Sequence, residues 1–160
     1  VEERLKQMLR SNPARIDYYE RYQNIIEQYN AEKDRSEIER IFDELTKLAQ
    51  DLSQEEKRYV REGFSSDEEL SVFDLLFKED LSKKEIETIK KVAVDLLAKV
   101  KAKISELDHW TDKTETKAII DNLIRDTLWA ELPESYDELS VSAYRQEIYQ
   151  YIYMRYKDVA

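Results

Sequence analysis

Cysteine is absent from this chain, glycine occurs once and proline twice in 160 residues, and histidine occurs once. Each shortage removes a class of protein. Without cysteine there is no disulfide framework, no thiolate nucleophile and no Cys-based zinc site. With Gly63 as the sole glycine, hairpin-rich sheets and phosphate-cradling loops lose the positive-φ positions they depend on. A Walker-type nucleotide site and a Gly-x-Ser-x-Gly elbow are excluded on the same ground. No apolar run approaches the roughly 20 residues that cross a bilayer. The chain opens on Val1-Glu2-Glu3-Arg4, with neither an initiator methionine nor a signal-peptide core. The expectation is a piece of a longer cytoplasmic protein.

What is present is charge and apolar content together. Hydrophobic residues make up 41% and charged residues 39%, too apolar and too aromatic for a disordered chain. The net charge of −10 opposes phosphate-driven nucleic-acid binding by the molecule as a whole. It favours a protein partner, or a basic patch of limited extent.

Apolar residues recur at helical spacing along most of the chain. A charged first segment, 1–12, ends at Ser11-Asn12-Pro13, where Asn12 can cap and Pro13 can open a helix. Ile16, Tyr19, Tyr22, Ile25, Ile26 and Tyr29 form the next stripe. A polar break at 30–35 follows. Ile38, Ile41, Phe42, Leu45, Leu48, Ala49 and Leu52 then mark a helix starting near Asp34 or Ser36, continuing through Tyr59 and Val60 to a left-handed stop at Gly63. Ser66 with Glu69 forms a capping box opening a short helix that buries Leu70, Phe73, Leu76 and Phe77. Ser82 with Glu85 forms a second box, with Leu81 and Ile86 placed as a staple. The helix behind it carries Ile86, Ile89, Ala93, Leu96, Val100 and Ile104. Asp108–Asp112 breaks the pattern, with Thr111 as the cap of a helix bearing Ala118, Ile119, Leu123, Ile124 and Leu128 and closing on Trp129. Leu132-Pro133-Glu134-Ser135 interrupts again. A tyrosine-rich helix closes the chain from about Leu139 to Arg155. The expected fold is all-α, a multi-helix bundle of about six or seven helices. Residues 1–63 form an N-terminal helical segment, residues 64–160 a C-terminal bundle, and the two make one compact unit.

Candidate chemistry is sparse. Glu106 lies three residues before His109, but no second Glu-x-x-His follows, so a di-iron carboxylate bundle is not specified. His109 reads as a loop residue. Glu55/Glu56 and Glu68/Glu69 read as solvated faces or helix-start charges. No catalytic, cofactor or metal residue is nominated. Seven lysines between Ser82 and Ser105 (83, 84, 90, 91, 99, 101 and 103) against Glu85, Glu87 and Asp95 give a local +4. Lys83, Lys90, Lys91, Lys99 and Lys101 could touch an acidic partner or nucleic-acid phosphates; the plainer reading is a lysine-rich solvated face opposite the apolar stripe. Of the eleven tyrosines, Tyr18, Tyr19, Tyr22 and Tyr29 in one helix and Tyr144, Tyr149, Tyr151, Tyr153 and Tyr156 in another exceed what one face of each can bury. Some are therefore expected at a rim or interface, with Tyr149, Tyr153 and Tyr156 as candidates. Ordinary core packing with hydroxyls reaching solvent is the alternative. Trp110 and Trp129 are expected to lock adjacent helices, beside the structural cap pair Ser82 and Glu85.

The segments Asp108-His109-Trp110, Thr116-Lys117-Ala118, Ile124-Arg125-Asp126-Thr127-Leu128-Trp129 and Leu132-Pro133-Glu134-Ser135-Tyr136 resemble the C-terminal end of the restriction (R) subunit of type I restriction-modification enzymes. The resemblance spans 64–156, with 1–63 fitting as more of the same helical region. It implies a helical assembly domain that docks an ATP-dependent DNA translocase and endonuclease onto the methyltransferase–specificity core. It implies no catalysis here, since none of the family's nuclease or ATP-binding motifs occurs in this chain. ATP and Mg would belong to the parent, as would any DNA contact, with no small-molecule or membrane partner for this piece. Two alternatives are a DNA-contacting module using the Lys83–Lys103 face and an acidic, DNA-mimic-like protein binder.

Overall fold

The computed structural model describes residues 2–31 and 35–158, with the side chains of 35 and 36 left out. Among the described residues there are eight α-helices, two short 3-10 turns and no strand. In chain order they are α1 (Glu2–Ser11), a 3-10 turn (Pro13–Arg15), α2 (Ile16–Ala31), α3 (Arg35–Glu55), α4 (Arg58–Arg61), α5 (Asp67–Leu76), α6 (Lys83–Glu106), a second 3-10 turn (Trp110–Asp112), α7 (Thr114–Glu131) and α8 (Glu138–Tyr156). The all-α expectation is met. The additional helix arises because α3 does not run on to Gly63. It ends at Glu55, and the single turn α4 follows. The expected start at Asp34 lies outside the described residues, as does the side chain of Ser36.

The chain divides within α5 into two compact units, 1–71 and 72–160. In the first, α1 and α3 pack on α2. Leu5, Met8, Ile25, Ile41, Leu48 and Leu52 form its core, with Tyr18, Tyr19, Tyr22 and Leu45 packed around it. Asn12 does cap: its side chain accepts from the Ala14 N–H at 3.0 Å, with Pro13 in the first position of the turn. Stripe residues Ile16, Tyr29, Phe42 and Val60 are instead exposed. Tyr29 and Phe42 meet edge-on, ring centroids 6.2 Å apart. Ion pairs tie the elements at the ends of the core. Arg4 holds Glu56 through two bonds of 2.7 and 2.8 Å, and Arg21 reaches Asp51 at 2.8 Å. Arg15 is buried and clamps Asp67 bidentately, at 3.0 and 2.6 Å.

The Gly63 stop is a Schellman motif. Phe64 N–H donates to Tyr59 O at 2.9 Å and Gly63 N–H to Val60 O at 3.1 Å, with φ of +86° at Gly63. Ser66 Oγ accepts from the Glu69 N–H, while the Glu69 carboxylate returns to the N–H of Ser65 rather than to Ser66 itself. Of the residues assigned to the buried side of α5, Leu70, Phe73 and Leu76 are buried and Phe77 is not.

In the second unit α6 packs on α7, and α7 packs on α8. Both halves of the Ser82/Glu85 box form, at 3.1 Å each. The inward face of α6 is Ile89, Val92, Ala93, Leu96, Leu97, Val100 and Ile104. Leu96 is fully enclosed, so truncating it to alanine costs about 2–5 kcal/mol.

Thr111 does not cap α7. The chain first makes the 3-10 turn that carries Trp110 inward, and the N-cap position falls to Lys113, which makes no side-chain cap bond. The Thr116 hydroxyl instead donates back to Trp110 O and Lys113 O, at 2.5 and 3.1 Å. α7 also presents a face rotated from the expected one. Ile120, Ile124, Thr127 and Leu128 are buried, while Ala118 and Ile119 face solvent. Asp137 caps α8, accepting from Ser140 N–H at 2.8 Å.

Candidate partner-binding surface

The lysines of α6 separate into two groups once the helix is packed. Lys90 is half-buried and lies 3.9 Å from Glu87. Lys99 bridges Asp95 and Glu131 at 3.0 Å each, tying α6 to α7. Hydrogen bonds that Lys99 donates to Asp95 and then Glu131 hold its ammonium above its ordinary value. Lys103 pairs with Glu106 at 3.1 Å. In contrast, Lys83, Lys84, Lys91 and Lys101 are exposed and form no ion pair among the described residues. At about 100° per residue these four fall on the sector of α6 opposite its buried stripe. Val94, Ala98 and Ala102 lie on the same sector and are exposed too.

Of the positions nominated from the sequence, Lys83, Lys91 and Lys101 therefore share this outward face with Lys84. Lys90 and Lys99 lie at its margins, engaged with acids of the chain itself. The aliphatic strip was missed by sequence reasoning. Its signal was the placement of valine and alanine at steps of four, out of phase with the apolar stripe.

The tyrosines nominated in α8 lie around Trp110. Tyr149 and Tyr153 meet its ring edge-on, with centroids 6.3 and 5.9 Å away. Its indole N–H donates to Tyr156 O at 3.0 Å. All three tyrosines remain half-buried. Burial raises the Tyr149 hydroxyl above its ordinary value. Trp110 is fully buried, and its indole bond reaches from the 3-10 turn to the end of α8. Trp129, by contrast, is 54% exposed on α7.

A third cluster joins the loop before α6 to the loop before α8. Lys78 donates to Ser135 O and stands 4.4 Å from the Tyr136 ring centroid. Ser135 Oγ donates to Glu85 at 2.5 Å, and Tyr136 Oη donates to Leu76 O at 2.5 Å. Burial pushes the Tyr136 hydroxyl well up. These contacts set the register of α6 against the loop that leads into α8.

His109 is exposed with a left-handed φ of 46°, its imidazole 3.5 Å from Asp108. Among the described residues no three acidic or imidazole groups converge where an ion could be held. Among them, too, no helix is long and apolar enough to cross a membrane.

A family model described as the C-terminal region of type I restriction enzyme HindI endonuclease subunit-like proteins matches residues 1–151. The chain belongs to this family. The match covers all of the first unit, 1–71, and the second unit of this restriction-subunit region as far as residue 151. Neither a curated protein nor a solved structure matches the chain.

Proposed function

We propose that this type I restriction-subunit region is a non-catalytic assembly domain. It docks the DNA translocase and endonuclease of its parent subunit onto the methyltransferase–specificity core. The observation that supports the reading best is the outward face of α6, where four exposed lysines pair with no acid among the described residues. The family membership supplies the context. The methyltransferase and specificity subunits are the partners, the location is cytoplasmic, and ATP and Mg serve the parent's motor and nuclease. This region takes no membrane or small-molecule ligand.

The test is a binding titration of the 160-residue chain against the purified methyltransferase–specificity core, with ATPase and DNA-cleavage assays on the same sample. Saturable binding without either activity is expected. ATP turnover or DNA cleavage by the pure chain would overturn the reading.

The unpaired lysines also favour a second reading, an auxiliary contact to DNA. It requires affinity for duplex that falls steeply with salt, since each neutralised phosphate releases counterions. An acidic, DNA-mimic-like binder is the third reading, carried by the net charge of −10.

A further inference from the structure

We infer that the outward face of α6 is the docking surface itself and that its occupant is an acidic amphipathic helix of the partner protein. The inference rests on the docking reading above and names the chemistry of the partner at that site. Lys83, Lys84, Lys91 and Lys101 stand exposed along the face without ion pairs among the described residues, and Glu87 is the one acidic residue between them. Four lysines and one glutamate give this strip +3 on a chain of −10. Acidic residues of the same helix and its neighbour are spent on the flanking cations, Lys99 and Lys103. The outward ammonium groups are thus left to a carboxylate from outside.

The shape of the face decides between a helix and a phosphate backbone. Val94, Ala98 and Ala102 run between the lysines, each exposed. Short side chains allow a second helix to approach at the near end of the usual interaxial range of about 8–10 Å. From Lys84 to Lys101 the face is roughly 25 Å long at about 1.5 Å per residue, the length of a four- to five-turn helix. A helix with a small apolar seam would cover the aliphatic strip, and Glu or Asp beside the seam would meet the lysines, as charges flank the seam of a coiled coil. Duplex phosphates would use the lysines but leave the aliphatic strip uncovered, and they would approach a molecule that repels them as a whole.

The absence of cysteine makes the test clean. Ala98→Cys provides a single thiol in the middle of the strip for a benzophenone photo-crosslinker. Irradiation with the purified methyltransferase–specificity core should capture one peptide, acidic and with carboxylates at helical spacing. The same label at Asn122→Cys on α7 should capture none. In the titration, K84E/K91E/K101E should weaken core binding by roughly ten- to a hundredfold with the helical circular dichroism unchanged. K113E/K157E, which changes exposed lysines elsewhere, should leave it unaltered. If the unaltered chain binds the core and the triple variant binds equally well, this inference falls while the docking reading stands. If the unaltered chain does not bind the core, both fall. Capture of a peptide without acidic helical spacing, or duplex DNA competing for the Ala98 site with the same lysine dependence, would overturn the assignment of the occupant.

Discussion

Arg15 Nε donates to Glu55 Oε1 at 2.9 Å, joining the turn before α2 to the last residue of α3, with side chains only 3% and 5% exposed. Glu55 also accepts from Arg58, and Arg15 also holds Asp67. The four residues close the end of the first unit with a charge network in place of an apolar plug. Such a network contributes little net stability when intact, because desolvation offsets most of its Coulomb energy. Breaking it is another matter.

Arg15→Ala removes the guanidinium shared by Glu55 and Asp67, but Glu55 keeps its bonds from Arg58 and Asp67 is partly open to water. The expected loss is therefore about 1.5–3 kcal/mol, the usual worth of hydrogen bonds to charged groups, and not the full cost of an unpaired buried charge. Urea unfolding followed by circular dichroism checks this. A loss under about 1 kcal/mol would show that water replaces the guanidinium readily.

Acid should weaken the same end of the molecule. Burial raises the Glu55 carboxyl, but hydrogen bonds from Arg58 and Arg15 outweigh it and hold the group below the ordinary glutamate range. The hydrogen bond from Arg4 lowers Glu56 likewise, against a smaller opposing effect of burial. A carboxylate depressed in the folded state binds fewer protons there than in the unfolded chain. Its stabilisation is therefore complete above the unfolded value of about 4.3 and is lost as pH falls toward the lower folded value. Melting temperatures should hold from pH 7 to 5 and drop below it. Glu55→Gln should be less stable at neutral pH and show a shallower acid decline.

Gly63→Ala isolates backbone strain. A Cβ there would meet nothing within 4 Å, yet φ is +86°. The cost is about 1–2 kcal/mol for an L-residue in the left-handed region, where its Cβ crowds the adjacent backbone carbonyl, with no clash against the rest of the fold. Gly63→Asn should recover part of it, since asparagine tolerates that region better. Equal stability of the alanine and glycine proteins would mean that the turn had rearranged.

The two tryptophans should report opposite environments. Trp129→Phe leaves only Trp110, which is fully buried, and its emission should be blue-shifted and poorly quenched by acrylamide. Trp110→Phe leaves the exposed Trp129, with red-shifted and readily quenched emission. That second variant also loses the indole bond to Tyr156 O, at a cost of about 1 kcal/mol. On binding of the core, any change confined to Trp129 would place α7 at the margin of the contact.

Helix boundaries were legible where the signal was local. Asn12, Gly63, Ser66 and Ser82 each act within a few residues of their own position, and each acts as its chemistry suggests. Phase was harder. The doublets Ile119-Ile120 and Leu123-Ile124 fit two neighbouring faces of one helix, and packing selected the one through Ile120 and Ile124. Thr111 looked like a cap because hydroxyls cap helices. Carrying Trp110 inward required a 3-10 turn that moved the start of α7 to Thr114. The lysine excess of α6 was visible as composition. Which lysines remain unpaired was not, since Lys99 meets Glu131 on another helix, 32 residues along the chain.

The sequence by itself determined a glycine-poor, cap-punctuated succession of amphipathic helices, because propensity, capping and periodicity all act within a turn or two of the residue that carries them. Only the tertiary structure decided that Arg15 finds Glu55 and Asp67 across 40 and 52 residues. It likewise placed Trp110 inside and Trp129 outside, and left one face of α6 with its charges open. Those outcomes depend on which helices meet, and side chains far apart in the chain compete for the same contact only after it has folded.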